Sequence, residues 1–64
     1  MIVRERIVMD PDIQQGKPVI RGTRVPVARI IDEFAGGMTR TEVMREYEIT
    51  EPDIAAALTY FEEI

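Results

Sequence analysis

Pro26-Val27-Ala28-Arg29-Ile30-Ile31-Asp32-Glu33-Phe34-Ala35-Gly36-Gly37-Met38-Thr39-Arg40-Thr41-Glu42 is the stretch on which the fold turns. Val27, Ile30, Ile31 and Phe34 fall at i, i+3, i+4 and i+7, the apolar stripe of an amphipathic helix. Pro26 suits the first turn, because the N–H it lacks would be unpaired there anyway. Gly36-Gly37 ends the helix. Thr39-x-x-Glu42 reads as a capping box for a second helix, with Met38 and Val43 at staple spacing around it.

Toward the C-terminus, Tyr47-Glu48-Ile49 interrupts the second helix and keeps it short. Thr50-x-x-Asp53 repeats the capping logic, with Ile49 and Ile54 at staple spacing and Pro52 tolerated in the first turn. The third helix turns Ile54, Leu58, Phe61 and Ile64 toward a core, aided by Ala55, Ala56 and Ala57; Tyr60 lies off that stripe. A short connection between the second and third helices is the arrangement of a helix-turn-helix.

Toward the N-terminus the period changes. Ile2 to Met9 alternates imperfectly and reads as a strand, with Val3, Ile7 and Met9 on one face and Arg4 and Arg6 on the other. Asp10-Pro11 stops it and resembles an N-cap and first helical position, so one turn of helix through Ile13 is expected. Gln15-Gly16-Lys17-Pro18 is a turn. Val19 to Val25 then reads as a tight hairpin with Gly22 at the first central position, which sets Arg21 opposite Arg24. The fold class is mainly α with a small N-terminal β arm: one domain, with the arm and turn motif over residues 1–25 and a three-helix core over 26–64.

Composition sets the bounds. A chain of 64 residues buries only about 60% of its unfolded surface, and its core supplies about 3–5 kcal/mol. It contains no cysteine, histidine, serine, asparagine or tryptophan. Ser–His, Cys–His and zinc chemistry are therefore excluded, and no metal or cofactor is expected. No apolar run approaches a membrane span and no secretory pattern opens the sequence, so a cytoplasmic setting without a membrane partner is expected. The thin core, the arm and the apolar Ile2 and Val8 point to a homodimer through strand pairing.

The net charge of −4 is unevenly spread. Residues 1–29 carry Arg4, Arg6, Lys17, Arg21, Arg24 and Arg29 against three carboxylates, a net +3; residues 30–64 carry two arginines against nine carboxylates, a net −7. The third helix has no lysine or arginine, so pressing it against phosphates would be repulsive. Any nucleic acid or other anion would be met by Arg4, Arg6, Lys17, Arg21, Arg24 and Arg29. The plain alternative is that these are solvated strand and loop residues.

The densest segment is Gly16-Lys17-Pro18-Val19-Ile20-Arg21-Gly22-Thr23-Arg24-Val25-Pro26-Val27. Gly16, Pro18, Gly22 and Thr23 set its backbone: Gly22 supplies a positive φ and Thr23 bonds its own turn. Arg21 and Arg24 offer guanidinium forks for a carboxylate or phosphate. They serve either as an anion clamp or to pin the arm to Asp32, Glu33 or Glu42. Asp10-Pro11-Asp12 offers two carboxylates, which read as a cap and a solvated residue rather than as a catalytic pair.

This segment resembles the small bacterial and archaeal proteins grouped as domain-of-unknown-function family 433. The likeness rests on Asp10-Pro11, on Gly-Lys-Pro-x-Ile-x-Gly-Thr-Arg-x-x-Val over Gly16 to Val27, on Thr39 to Glu42, on Tyr47, and on Thr50 to Leu58, and it spans residues 7–61. It implies a homeodomain-like helix-turn-helix core. It also implies an antitoxin of a type II toxin–antitoxin pair, partnered by a PIN-like ribonuclease toxin and repressing its own operator DNA. Members commonly run on past the final helix.

A ribonuclease presents cations to RNA, and the acidic half can cover such a surface. Tyr60, Glu62, Glu63 and Ile64 are the candidate toxin contacts. Alternatively, Arg4 or Arg6 enters the carboxylates of a metal-dependent toxin. The competing functions are a stand-alone DNA-binding transcriptional regulator and a small structural module. An enzyme is not expected.

Overall fold

The computed structural model describes residues 5–63, Glu63 by its backbone alone. Expectations that fall on Ile2, Val3, Arg4 and Ile64, and on the Glu63 side chain, lie outside the described residues. In chain order the elements are β1 (Ile7–Val8), a one-turn 3₁₀ segment (Gln14–Gly16), β2 (Val19–Ile20), and helices α1 (Val27–Ala35), α2 (Arg40–Tyr47) and α3 (Glu51–Glu63). β1 and β2 pair antiparallel, Ile7 with Ile20 and Val8 with Val19. The expected architecture, three helices behind a small β arm, is the one observed.

Each helix end has a local cause. α1 has no side-chain cap. Its first N–H, that of Val27, donates instead to the Pro18 carbonyl at 2.9 Å, so the motif loop caps the helix with backbone. At the other end the Gly37 N–H donates to Phe34 O and the Met38 N–H to Glu33 O, at 3.0 Å each. This is a Schellman closure, whose left-handed position belongs to Gly37 with φ 102°. α2 opens with the full capping box: Glu42 N–H to Thr39 Oγ1, and Thr39 N–H to Glu42 Oε1. The Thr39 N–H, then the Thr39 hydroxyl, hold the Glu42 carboxyl below its usual value. α3 opens on the Thr50–Asp53 pair in the same way, at 3.0 and 3.4 Å.

The connection between α2 and α3 is Glu48, Ile49 and Thr50. Glu48 turns the chain in the left-handed region, φ 55°. Ile49 is buried beside it, and its N–H bonds back to Met44 O. Ile7, Ile20, Val27, Ile30, Val43, Ile49, Ile54 and Ala57 form one buried cluster drawn from the arm and all three helices. The arm is therefore part of the core and not an appendage. Its burial supplies the apolar area that three short helices alone would lack.

Two local expectations need correction. The helical turn expected at Asp10–Ile13 is a non-helical turn, because Asp10 Oδ1 accepts the Asp12 N–H at 2.9 Å and so bends the chain tightly. The single turn that follows, Gln14–Gly16, is left-handed. The hairpin of Val19–Val25 closes between Ile20 and Val25, with the Ile20 N–H donating to Val25 O. Its loop is four residues long, Arg21 to Arg24. Inside it the Thr23 N–H bonds Ile20 O at 3.0 Å, so Gly22 sits at the second central position, φ 80°, as a type II turn requires. Arg21 and Arg24 are thus loop residues and not an opposed cross-strand pair.

Candidate functional site

The motif loop from Gly16 to Val27 is fixed by its own backbone. Thr23 is the hub: its hydroxyl donates to Ile20 O at 2.7 Å and accepts the Val25 N–H at 3.0 Å. Just before the loop, Gln14, Gln15 and Gly16 run through φ 50°, 58° and 85°, a left-handed turn that two non-glycine residues adopt at a cost. The Gln14 amide donates to Arg24 O at 3.2 Å and so ties this turn to the far side of the loop. Nothing in the side chain of glutamine announces a left-handed turn.

The cations divide into two sets. Arg6 and Arg21 are engaged by the fold. Arg6 Nη1 meets Asp53 Oδ1 at 3.2 Å, and Arg21 Nη1 donates to Glu5 O at 3.1 Å while its own N–H donates to Arg6 O. The pin between arm and helices is therefore Arg6 to Asp53; neither Arg21 nor Arg24 reaches Asp32, Glu33 or Glu42. Burial pushes the Asp53 carboxyl up, but the Thr50 N–H and hydroxyl and the Arg6 guanidinium outweigh it and hold it below its usual value. Lys17, Arg24 and Arg29 are exposed. Arg29 reaches Tyr47, whose hydroxyl donates to Glu33 Oε2; that carboxylate raises the Tyr47 hydroxyl pKa.

On the other side of the loop lies an apolar groove of about 260 Å³. Pro18 and Pro26 from the loop, Val27, Ala28 and Ile31 from the first turns of α1, and Tyr60 and Phe61 from the last turn of α3 line it. Lys17 and Asp32 stand at its edge. Both aromatics line the groove, with a burial different from the one expected. Tyr60, off the core stripe and a candidate toxin contact, is half-buried and packs against the core. Phe61, expected in the core, is 50% exposed, the one exposed large hydrophobic side chain among the described residues. Phe61 is in the last turn of α3 and faces the open groove, so its ring is left half uncovered. Leu58, one turn earlier, packs against the core as expected.

Of the other candidate toxin contacts, Glu62 is exposed beside Phe61. The outward face of α3 is Glu51, Pro52, Ala55, Thr59 and Glu62, with no cation. Pro18 was expected as a backbone-setting residue of the motif, but Pro26, Ala28 and Ile31 were missed as site residues, because a groove made by two prolines meeting two helices from different parts of the chain leaves no periodic trace. No helix of the described residues is long and apolar enough to cross a membrane.

Comparison with known proteins places the chain in a wider group. The sequence model of the family described as "Protein of unknown function (DUF433)" matches residues 7–61. A crystal structure of a DUF433 member protein from Anabaena variabilis superposes with a TM-score of 0.88 at 30% identity. The match covers 94% of this chain and 60% of that one, so the chain spans about three fifths of the length of that relative. No curated protein matches the sequence.

Proposed function

The chain belongs to the DUF433 family, and on that footing we propose that it is the antitoxin of a type II toxin–antitoxin pair, a non-catalytic protein that binds and inhibits a PIN-like ribonuclease toxin. The observation that carries this reading is Phe61. A half-exposed phenylalanine at the end of an acidic helix, beside an apolar groove, is a protein-facing anchor. The carboxylates of the helical half, net −7 over residues 30–64, suit a toxin whose RNA-binding surface is cationic. The test is co-expression of the tagged chain with the product of the adjacent gene. A ribonuclease captured in stoichiometric amount supports the reading. A folded chain that captures nothing overturns it.

A second activity, binding of operator DNA by the same chain, is favoured by the exposed Lys17, Arg24 and Arg29 together with Arg21 on the loop. α3 has the wrong charge to read bases, so the loop would meet phosphate. Operator affinity is then expected to fall steeply with salt, and Arg21→Ala with Arg24→Ala to flatten that slope by about two phosphate contacts. An unchanged slope removes the loop from the interface. A regulator that works without any toxin would show this binding together with an empty capture.

A further inference from the structure

We propose that the groove between the motif loop and the last turn of α3 is the docking site for the partner, and that its occupant is an amphipathic, cationic segment of the partner protein. The inference rests on the antitoxin reading and names the surface and the chemistry of contact. Three observations carry it.

The floor is apolar and rigid. Pro18 and Pro26 are fixed by the ladder that joins the loop to α1: the Val27 N–H bonds Pro18 O, and Val19 bridges Pro26. Val27 is buried and anchors α1 in the core. A preformed floor costs a ligand little ordering entropy.

One wall is unfinished. Phe61 stands half in solvent at the groove while Tyr60 beside it is packed down. A row of apolar side chains laid along the groove would cover the exposed face of Phe61, and the exposed Ala28 leaves room for close approach.

Charge chooses the occupant. Asp32 is exposed on the rim and Glu62 follows Phe61, against the single cation Lys17. α3, which forms one wall, carries Glu51, Asp53, Glu62 and Glu63 and no lysine or arginine. A second copy docked groove to groove would bring the same carboxylates face to face and be repelled, whereas lysines or arginines flanking an apolar stripe would be attracted. A helical segment with apolar residues at i, i+3, i+4 and i+7 and cations beside them has both properties.

The experiment uses the full chain, ¹⁵N-labelled, and two synthetic helical peptides that share one leucine stripe, one with lysine and one with glutamate at every other position. The lysine peptide is expected to move the amide signals of Lys17, Val27, Ala28, Ile31, Tyr60 and Phe61. Phe61→Ala is expected to weaken it roughly tenfold, and Ala28→Arg, a bulky cation in the floor, to abolish it. Asp32→Asn with Glu62→Gln is expected to weaken it roughly threefold and to reduce its salt dependence. Positions 28, 32, 61 and 62 are exposed, so these variants are expected to keep the wild-type melting temperature. Equal binding of the glutamate peptide, or shifts centred elsewhere, overturns the inference.

The same variants separate this inference from the function it rests on. If the adjacent gene product is captured equally well by wild type, Phe61→Ala and Ala28→Arg, the groove is not the docking site and the antitoxin reading stands. If wild type captures no toxin but binds the lysine peptide in the groove, the antitoxin reading falls and the docking site stands.

Discussion

The loop-bearing arm, residues 5–26, and the three helices that follow are held together by different physics. The helices are closed by neighbours in sequence: Thr39 by Glu42, Thr50 by Asp53, Phe34 by Gly37. The arm is closed from far away. Ile7 pairs with Ile20, the Arg21 N–H bonds Arg6 O, and Arg6 crosses 47 residues to Asp53. Locally closed segments form early and cheaply; a segment closed at long range gains its contacts only after the loop entropy has been met. The groove lies where the two regimes meet, with its prolines on one side and its helices on the other.

The largest expected effect tests whether the arm belongs to the core at all. Ile7→Ala and Ile54→Ala remove fully buried side chains from the two regions, and each is expected to cost about 2–4 kcal/mol. That approaches the whole stability of a chain this size, so both are expected to unfold at modest urea concentration. A loss below about 1 kcal/mol for Ile7→Ala alone would break the comparison and make the arm a detachable strap.

Next in size are the glycines that end α1. Gly37 has φ 102° and Gly36 has φ −82°. Gly37→Ala is expected to cost about 1–2 kcal/mol, and Gly36→Ala to be neutral or slightly stabilising. Equal effects in thermal melts would show that the Schellman closure does not hold the helix end.

The Asp53 carboxylate links both regions, since it caps α3 and receives Arg6. Its folded-state pKa is depressed, so its stabilisation is present above the unfolded value, about 3.9, and is lost as pH falls through the folded value. Asp53→Asn is expected to lower the melting temperature at pH 7 and to flatten its decline in acid. Arg6→Ala, which removes only the half-exposed ion pair, is expected to cost less than about 1 kcal/mol. A larger loss from Arg6→Ala than from Asp53→Asn would mean that the pin, and not the cap, is the more important role of this carboxylate.

The smallest effects are gains. Glu48 and Gln15 hold left-handed backbone with φ 55° and 58°. Glu48→Gly and Gln15→Gly are each expected to stabilise by about 0.5–1 kcal/mol. If only Glu48→Gly stabilises, the left-handed turn ahead of the motif loop is held by its Gln14 bond to Arg24 O and not merely tolerated.

What was legible in the sequence follows the same division. Capping boxes, the Gly37 stop and the stripe of Val27, Ile30, Ile31 and Phe34 are written within a few residues, and they were readable. The partner of Arg6, the four-residue loop from Arg21 to Arg24 and the left-handed Gln14-Gln15 depend on contacts that no local pattern encodes. Phe61 was misplaced for a related reason. A helical stripe tells which side of α3 faces inward, but not where an open groove leaves that side uncovered. The cations of the N-terminal half were legible as residues; the engagement of Arg6 by Asp53, of Arg21 by Glu5 O and of Arg29 by Tyr47 was not.

The proposed inhibition of a ribonuclease by this chain is read from a titration of the adjacent gene product's RNA cleavage. Cleavage is expected to fall linearly to zero at one equivalent of chain, and the variant combining Arg21→Ala and Arg24→Ala is expected to inhibit as well as wild type. Full cleavage in the presence of excess folded chain would contradict it.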